Sequence, residues 1–259
     1  MNTKRLLTSP GLRPFWLVVM LVVLWDLLIR AFKIPPYLIP NPLSVAKQLV
    51  AEWPMLWRET LPTLYATLGG FALSAVVGVP IAMWIAYSRV VESFVYPLLV
   101  FSQSIPKVAI APLFVVWFGF GLESKIVIGG LISFFPMIVN VIEGLQSTDR
   151  RQIDMLRAAG ANSWQVFRMV KIPNALPFIF VGLDIGIVLA VLGAIVGEFV
   201  GAQGGIGFMI LQYNFQLETA KVFALIVVLS VTGIALHNVV RWLHRRTVFW
   251  IKPDDVVGA

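Results

Sequence analysis

Few ionisable side chains stand inside the long apolar stretches of this sequence, and those few are its candidates for chemistry. Lys107 lies in the otherwise uncharged residues 93–122. An ammonium group inside the membrane is energetically costly, so it is expected either to serve a function or to reach water. It can draw an anionic solute into a pathway, or its amine can extend to the interface from a kink at Pro106. Asp184 can line the same pathway or accept hydrogen bonds from neighbouring helices, and a pair with Lys107 is a further alternative.

A third candidate, Glu198, follows an apolar run and precedes a glycine-rich segment. Together with Gly201, Gly205 and the other glycines of residues 204–207, it can form a gate at the outer end of a transport pathway. The alternative is an exposed acid at the membrane interface, because glutamate is rarely buried without a partner.

No motif for covalent or hydrolytic chemistry occurs in the sequence. It has no G-x-x-x-x-G-K-[ST] nucleotide-binding loop, no H-E-x-x-H zinc motif and no cysteine. The histidines, His237 and His244, lie near a basic tail and are interpreted as interfacial. We predict no catalytic residue, no metal and no cofactor, so any ATP-driven chemistry must come from another chain.

The composition is that of a polytopic membrane protein. Of 259 residues, 59% are hydrophobic and 13% are charged, and the mean hydropathy is +0.87. Soluble domains carry about 25% charged residues, and several uncharged runs here reach the ~20 residues that cross a bilayer as a helix. The net charge of +7 does not indicate a nucleic-acid partner, since in a membrane protein the positions of the charges matter more than their sum.

Apolar runs predict an all-α fold with six transmembrane helices in one integral domain over residues 1–259. The predicted spans are 14–29, 60–87, 93–122, 126–142, 175–196 and 222–240. Pro97, Pro106 and Pro112 predict that the third span is broken or kinked.

Two further segments are predicted to stay outside the spans. The proline-rich residues 33–59 form a loop in which the turn at 40–44 caps a short surface helix over about 45–52. The glycine-rich residues 199–217 are interpreted as a short re-entrant or interfacial helix and not as a seventh span.

Lysine and arginine positions predict the orientation. Six spans place both termini on the same side as residues 148–174, and that side carries most of the basic residues, including Lys4, Arg5 and Lys252. By the positive-inside rule this side is cytoplasmic.

Residues 148–174, the corner segment, are the polar exception in this apolar chain. Capping chemistry predicts two short helices with a corner between them. Asp149 is placed to cap the first helix, with Gln152 reaching back from the first turn. Gly160 ends that helix, because glycine adopts the left-handed conformation that often follows a helix.

The second helix of the corner segment begins in the same way. Asn162 is its predicted cap, with Gln165 in the reciprocal position, and the helix is predicted to end before Pro173. Apolar residues recur at helical spacing, at Ile153, Leu156 and Ala159 and then at Trp164, Phe167 and Val170. Each helix therefore has an apolar face that needs a cover, either the lipid surface or a protein. We predict a protein, because a tight corner presents a defined shape.

The corner segment resembles the EAA motif of ABC importer permeases. The features that match are Gly160, the turn Asn162-Ser163-Trp164-Gln165, and Ile172-Pro173 followed by Ala175-Leu176-Pro177. Where that family usually has Glu-Ala-Ala, this chain has Asp154-Met155-Leu156, so the acid is kept but shortened and the two small residues are enlarged. The resemblance implies a cytoplasmic coupling helix that docks on a separate ATPase subunit.

The resemblance extends over about residues 61–246. The stretches that carry it are Ile105-Pro106-Lys107, Ala111-Pro112-Leu113, Val116-Trp117-Phe118-Gly119-Phe120-Gly121, Gly197-Glu198 and Gly204-Gly205-Ile206-Gly207-Phe208. They are similar to the branch that imports nitrate, sulfonates, taurine and related small solutes. That branch implies a periplasmic or tethered solute-binding protein, two cytoplasmic ATPase subunits and a permease homodimer in the bilayer.

The resulting hypothesis is a multi-pass permease of the plasma (inner) membrane with the fold of type I ABC importers. Its ATPase-coupling contacts are predicted at Asp149, Asp154, Leu156, Ala159, Gly160, Asn162, Trp164, Phe167, Ile172 and Pro173. It is expected to move a nitrate-, sulfonate- or taurine-like anion by alternating access, with heterocyclic vitamin precursors as the alternative solutes. An ion-driven secondary transporter and an intramembrane enzyme are the other classes, disfavoured by the lack of an internal repeat and of a catalytic set.

Overall fold

The chain is helical throughout the residues that the structure describes. The structure is a computed structural model, and it describes residues 13–249, with side chains from Trp16 onward. Within this range the elements are α-helices, one 3₁₀ turn and one π turn, without a strand. The predicted all-α class is confirmed for this part of the chain, whereas Lys4, Arg5 and Lys252 of the orientation argument lie outside it.

The helices of the described range follow one another with short connections. In chain order they are α1 (Arg13–Phe32), α2 (Pro42–Ala51), α3 (Trp53–Tyr87), α4 (Arg89–Gln103), α5 (Ala111–Phe118), α6 (Leu122–Gln146), α7 (Arg150–Ala158), α8 (Ser163–Val166), α9 (Ile172–Gly201), α10 (Ile206–Phe215) and α11 (Thr219–Thr247). The 3₁₀ turn is Lys107–Ile110 and the π turn is Phe167–Lys171.

The helices divide into two compact units. Among the described residues, one unit comprises residues 13–58 together with Met209–Leu229, and the other comprises Glu59–Phe208 and residues 230–249. The single permease domain expected from the sequence stays a prediction.

The first unit is held by short polar and aromatic contacts. The turn predicted to cap α2 does so through Asn41, which accepts a hydrogen bond of 2.7 Å from the Ser44 N–H, although α2 begins at Pro42 and not at about residue 45. The Thr219 hydroxyl donates to the Tyr37 carbonyl at 2.6 Å, and the Trp25 and Phe223 rings lie 5.6 Å apart. These contacts tie the segment before α2 and the helix α1 to the start of α11.

The helix α3 begins seven residues before the predicted second span, at Trp53 instead of residue 60. Pro54 lies in the predicted loop 33–59, but in the structure it falls in the first turn of α3. A proline is tolerated there, because the N–H that it lacks would have no partner inside the helix.

The core of the second unit is the packing of α6 against α9, two helices that cross at glycines. A Cβ atom added at Gly193 would lie 2.5 Å from Gly129 Cα and 3.0 Å from its backbone nitrogen. Small residues let transmembrane helices approach this closely. Around the crossing, buried apolar residues such as Ile128, Ala190 and Ala194 fill the interface.

Gly193→Ala is therefore expected to destabilise the protein by about 2 kcal/mol, because the two backbones must move apart to admit the methyl group. Gly233→Ala is the matched control, since nothing lies within 4 Å of its added Cβ. Alanine there is expected to be neutral or to stabilise α11 by up to ~1 kcal/mol. Thermal unfolding of the detergent-purified protein measures both, and equal midpoints for the two variants would contradict the close crossing.

The third predicted span is broken, as expected from its prolines. The helix α4 and the segment Lys107–Phe118 are bent by 79° at the break, which contains Pro106. Pro97 lies inside α4 and Pro112 in the first turn of α5, so neither of them breaks the chain. Gly119 ends α5 with a φ of 82°, and the chain turns there into α6.

Four helices of the described range are long and apolar enough to cross a membrane, and the bent segment makes a fifth candidate. They are Trp53–Tyr87, Leu122–Gln146, Ser163–Gly201 and Thr219–Thr247, with Arg89–Gln103 and Lys107–Phe118 as the bent pair. The helix α1 covers the predicted first span. The count of six spans and the cytoplasmic side of the termini stay predictions.

The helix α10 is short, as predicted for the glycine-rich segment. At 10 residues it extends about 15 Å, half of the ~30 Å apolar thickness of a bilayer. The segment is thus a short helix, too short to be a further span.

Candidate functional site

The first half of the corner segment forms as its caps predict, with one exception. Asp149 accepts a hydrogen bond of 2.8 Å from the Arg151 N–H and begins α7. The reciprocal bond predicted from Gln152 is absent from the described structure, and the Asp149 side chain caps the second helical residue instead of the third.

Gly160 ends α7 in the predicted left-handed conformation, with a φ of 85°. Its N–H donates to the Arg157 carbonyl at 2.9 Å, and the next N–H, of Ala161, donates to the Leu156 carbonyl at 3.0 Å. This pair of bonds is a Schellman motif, which satisfies the last carbonyls of a helix. The turn direction is therefore set by the backbone at one residue.

The second half of the corner segment begins with a complete capping box. The Gln165 N–H donates to the Asn162 side chain at 2.9 Å, and the Asn162 N–H donates to the Gln165 side chain at 2.8 Å. Both bonds match the sequence prediction and fix the start of α8.

The predicted end of this second helix before Pro173 is wrong. The chain passes from α8 through the π turn into α9 without a break, so residues Ser163–Gly201 form a single helix of 39 residues. Pro173 lies in the first turn of α9, and the wider π turn before it gives the proline ring the room that a tight helix denies it. The corner is therefore continuous with a helix that is long and apolar enough to cross a membrane.

The apolar faces of the corner are only partly covered by the chain itself. Phe167 is 5% exposed and packs edge-on against Tyr87, with ring centroids 5.4 Å apart. Trp164 stacks on Phe167 but stays 54% exposed, and Met155 and Met169 are exposed as well. Phe167 thus anchors the corner on its own protein, whereas the other three present apolar surface.

The remaining predicted coupling residues lie on the surface or just below it. Leu156, Ile172 and Pro173 are half-buried; the exposed ones are Asp149, Asp154, Ala159, Gly160 and Asn162. Met155 and Met169 were missed by the sequence analysis, although the helical spacing of exposed apolar residues could have indicated them.

The pathway candidates Lys107 and Asp184 do not pair with each other. The Lys107 ammonium lies 5.1 Å from the centre of the Phe135 ring and 3.5 Å from the Gln103 carbonyl. Asp184 Oδ1 lies 2.6 Å from His237 Nδ1 on α11, at an ion-pair distance without hydrogen-bond alignment. Asp184 therefore contacts a neighbouring helix without a hydrogen bond, and its predicted roles stay predictions.

Glu198 is buried, and its alternative interpretation as an exposed interfacial acid is wrong. The residue is 1% exposed. It accepts hydrogen bonds from the Thr63 hydroxyl at 2.8 Å and from the Gly207 N–H at 2.7 Å. A buried carboxyl group requires such partners, and here they come from α3 and from the first turn of α10.

Two residues of α3 that the sequence analysis missed complete this network. Thr63 also accepts from the Ile206 N–H at 2.9 Å, and Glu59 accepts from the Gly205 N–H at 2.9 Å. Three successive backbone N–H groups at the start of α10 are thus bound by acidic or hydroxyl side chains. No spacing rule links residues so far apart in the chain, so the sequence offered no signal for this contact.

The glycines of the predicted gate have defined structural roles. Gly205 has a φ of 108°, and a Cβ there would overlap the Glu198 carboxyl group. A Cβ at Gly201 would lie 2.8 Å from the side chains of Phe120 and Val115. Both positions require glycine because the surrounding atoms approach the backbone directly.

Comparison with known proteins decides the class. The family described as the binding-protein-dependent transport system inner membrane component matches residues 78–249 of this chain. The chain belongs to this family.

Relatives of this permease are named for several different solutes. The formylaminopyrimidine transport permease protein ThiX of Halalkalibacterium halodurans is 37% identical over 245 residues, covering 94% of this chain and 98% of that protein. The riboflavin transport system permease protein RibX of Chloroflexus aurantiacus is 36% identical over 235 residues, covering 90% and 88%. The taurine transport system permease protein TauC of Escherichia coli is 29% identical over 240 residues, covering 90% and 87%.

The fold of the permease is similar to that of a solved transporter. A chain of the MetNI methionine ABC transporter, in an inward-facing conformation, superposes with a TM-score of 0.64. The match covers 74% of this chain and 97% of that chain at 24% identity.

Family membership confirms the predicted class of ABC transporter permease. In this family the ATPase lies in separate subunits, and the named relatives are transport proteins and not enzymes. The ion-driven transporter and the intramembrane enzyme, left open by the sequence, are therefore set aside.

Proposed function

We propose that this permease couples the movement of a small solute to a separate ATPase subunit through the corner segment. The observation that carries the proposal is the unbroken helix Ser163–Gly201, which begins in the corner and crosses the apolar part of the fold. Because the helix has no break in its backbone, a displacement of the corner is transmitted along it to the apolar part of the fold, and the π turn Phe167–Lys171 is a place where it can bend.

The coupling surface consists of the exposed residues around Gly160. Closure of two ATPase subunits on ATP displaces the corner, and Trp164, Met155 and Met169 supply the apolar contact that the partner covers. Asp149, Asp154 and Asn162 border this apolar contact with polar groups, as the rim of an interface does.

The proposed assembly contains two copies of the permease. Two ATPase subunits require two corner segments. Each copy of the permease provides one, so a homodimer supplies both. The corner and both termini then lie in the cytoplasm with six spans per copy, and a solute-binding protein docks on the opposite side.

In the proposed transport cycle the spans rock, and the pathway opens alternately to the two sides of the membrane. The network of Glu198, Thr63 and Glu59 holds the start of α10 at one end of α3 and α9, where the glycines Gly201 and Gly205 allow close packing. We assign this region to the outer gate. Lys107 and Asp184 are assigned to the pathway between the gate and the corner.

For the solute, the relatives favour a heterocyclic compound of the vitamin type. The permeases named for formylaminopyrimidine and riboflavin are 37% and 36% identical to this chain, whereas those named for sulfonates and taurine are 28% and 29% identical. Calorimetric titration of the cognate binding protein with a pyrimidine, riboflavin, taurine and nitrate discriminates the two classes. If the binding protein bound only taurine or nitrate, the result would favour the anionic solute that the sequence predicted.

Docking of the ATPase is tested by truncating the exposed aromatic of the corner. Trp164→Ala is expected to weaken ATPase binding at least tenfold, since truncating a central interface tryptophan costs about 2 kcal/mol or more. Trp117→Ala is the matched control, because Trp117 is 66% exposed but lies in α5, whose Val115 packs at Gly201, the end of the helix Ser163–Gly201 that is opposite to the corner. Retention of the ATPase during purification measures both, and equal retention by the two variants would refute docking at the corner.

A further inference from the structure

A cavity of about 380 Å³ lies between the corner segment and the junction of α3 with α4. Four basic side chains line it: Arg89, Arg150, Arg157 and Lys171. An adjoining cavity of about 440 Å³ shares Arg89, Arg150 and Lys171 with it. The volumes are in the ~300–1,000 Å³ range of small-ligand sites.

The four cations converge from different parts of the chain. Arg89 begins α4, Arg150 and Arg157 lie in the first and last turns of α7, and Lys171 ends the π turn. Tyr87 and Phe167 form an aromatic wall beside them. The fold therefore brings these charges together, and they are not a run of neighbours in sequence.

The acids nearby offset the charges of the four cations only in part. In the described part of the chain none of the four forms an ion pair with a carboxylate. Asp154 is the acid on the wall of the first cavity, and Glu92, on the wall of the second, accepts a hydrogen bond from the Gln146 amide. Like charges around a cavity repel one another and produce a positive potential that attracts an anion.

We propose that this cavity binds a phosphate-bearing anion. Planar guanidinium groups pair with phosphate oxygens through two parallel N–H···O bonds, and a lysine adds a point charge. The hydroxyl of Ser163, also on the wall, adds a neutral donor. The bound anion offsets the repulsion between the cations of α4 and those of α7, and so holds the corner segment on the rest of the permease.

Such a phosphate has two sources at this place, and the experiment separates them. The cavity lies where a membrane-spanning helix meets the polar corner, within reach of the headgroup of an anionic phospholipid, and it is also open to soluble phosphate. The permease is purified with its ATPase subunits into nanodiscs of phosphatidylcholine with or without phosphatidylglycerol. Native mass spectrometry counts the retained phosphatidylglycerol, and calorimetry with inorganic phosphate measures the soluble anion.

The test variant is Arg89→Gln with Lys171→Gln, which removes two cations shared by both cavities. It is expected to lower the affinity for the phosphate probe at least about tenfold, because each charge-assisted hydrogen bond contributes severalfold to affinity. Arg245→Gln is the control, since it removes an exposed basic residue of α11 that lies outside the cavity. Should the double variant fail to fold, Lys171→Gln alone is expected to show a loss of about threefold.

Each outcome decides the proposal. Selective retention of phosphatidylglycerol, lost in the double variant and kept in the control, identifies a lipid headgroup. Binding of inorganic phosphate alone, with the same pattern, identifies a soluble anion. No phosphate binding, or equal binding by variant and control, overturns the proposal. Loss of the ATPase from the double variant with phosphate binding unchanged also overturns it and assigns the cavity to an acidic segment of that subunit.

Discussion

Replacing Gly160 with valine is expected to lower ATP-dependent transport at least about tenfold. Gly160 has a φ of 85°, and this left-handed conformation costs an ordinary residue about 1–2 kcal/mol and a β-branched one more. The valine relieves its strain by turning the backbone, and the turn changes the angle at which α8 leaves α7. Solute uptake and ATP hydrolysis by the reconstituted transporter are measured together, and uptake is expected to fall more than hydrolysis.

Gly160→Asn is the matched control for this substitution. Asparagine accepts the left-handed conformation at little cost, and nothing lies within 4 Å of a Cβ at this position. Asparagine is therefore expected to keep transport within about twofold of the unmodified protein, since it adds a side chain of similar size to valine with much less backbone strain. If valine transported as well as asparagine, the geometry of the corner would not be what couples the two activities.

Replacing Glu198 with alanine is expected to destabilise the permease by about 3 kcal/mol, since unsatisfied buried polar groups cost about 1–3 kcal/mol each. The substitution leaves the Gly207 N–H and the Thr63 hydroxyl without the acceptor that they now share. Without that carboxyl group the first turn of α10 is expected to separate from α3 and α9. Thermal unfolding in detergent measures the loss.

Two other variants are expected to lose less stability and serve as comparisons. Glu198→Gln keeps an oxygen for the Gly207 N–H, and its amide can donate to the Thr63 oxygen, so it is expected to cost only about 1 kcal/mol. Glu218→Ala removes an exposed carboxylate and is expected to change stability by less than about 0.5 kcal/mol. An alanine variant at residue 198 as stable as the one at residue 218 would contradict the role assigned to the network.

Local chemistry explains why the corner segment was predictable. Asn162 with Gln165, and Gly160 after α7, act within four residues of their partners, so their spacing in the sequence carries the information. The same holds for the break at Pro106 and for the cap at Asn41. The resemblance to a family predicted the class of protein, which helix capping alone does not indicate.

Other features depended on contacts that local spacing does not encode. Pro173 was expected to end a helix, but a π turn before it let the helix continue, and neither propensity nor periodicity signals such a turn. Glu198 was assigned to a gate without its partners, because Thr63 lies 135 positions away in the chain. The basic cavity at Arg89 and Lys171 likewise joins residues from separate helices.

The central claim is that a separate ATPase drives this permease through the corner segment. Solute accumulation against its gradient, in proteoliposomes that contain the permease, its ATPase subunits and the binding protein, tests the claim most directly. Accumulation is expected only with ATP on the ATPase side and is expected to cease when the ATPase subunits are omitted. Accumulation by the permease alone, driven by a proton or sodium gradient, would contradict it.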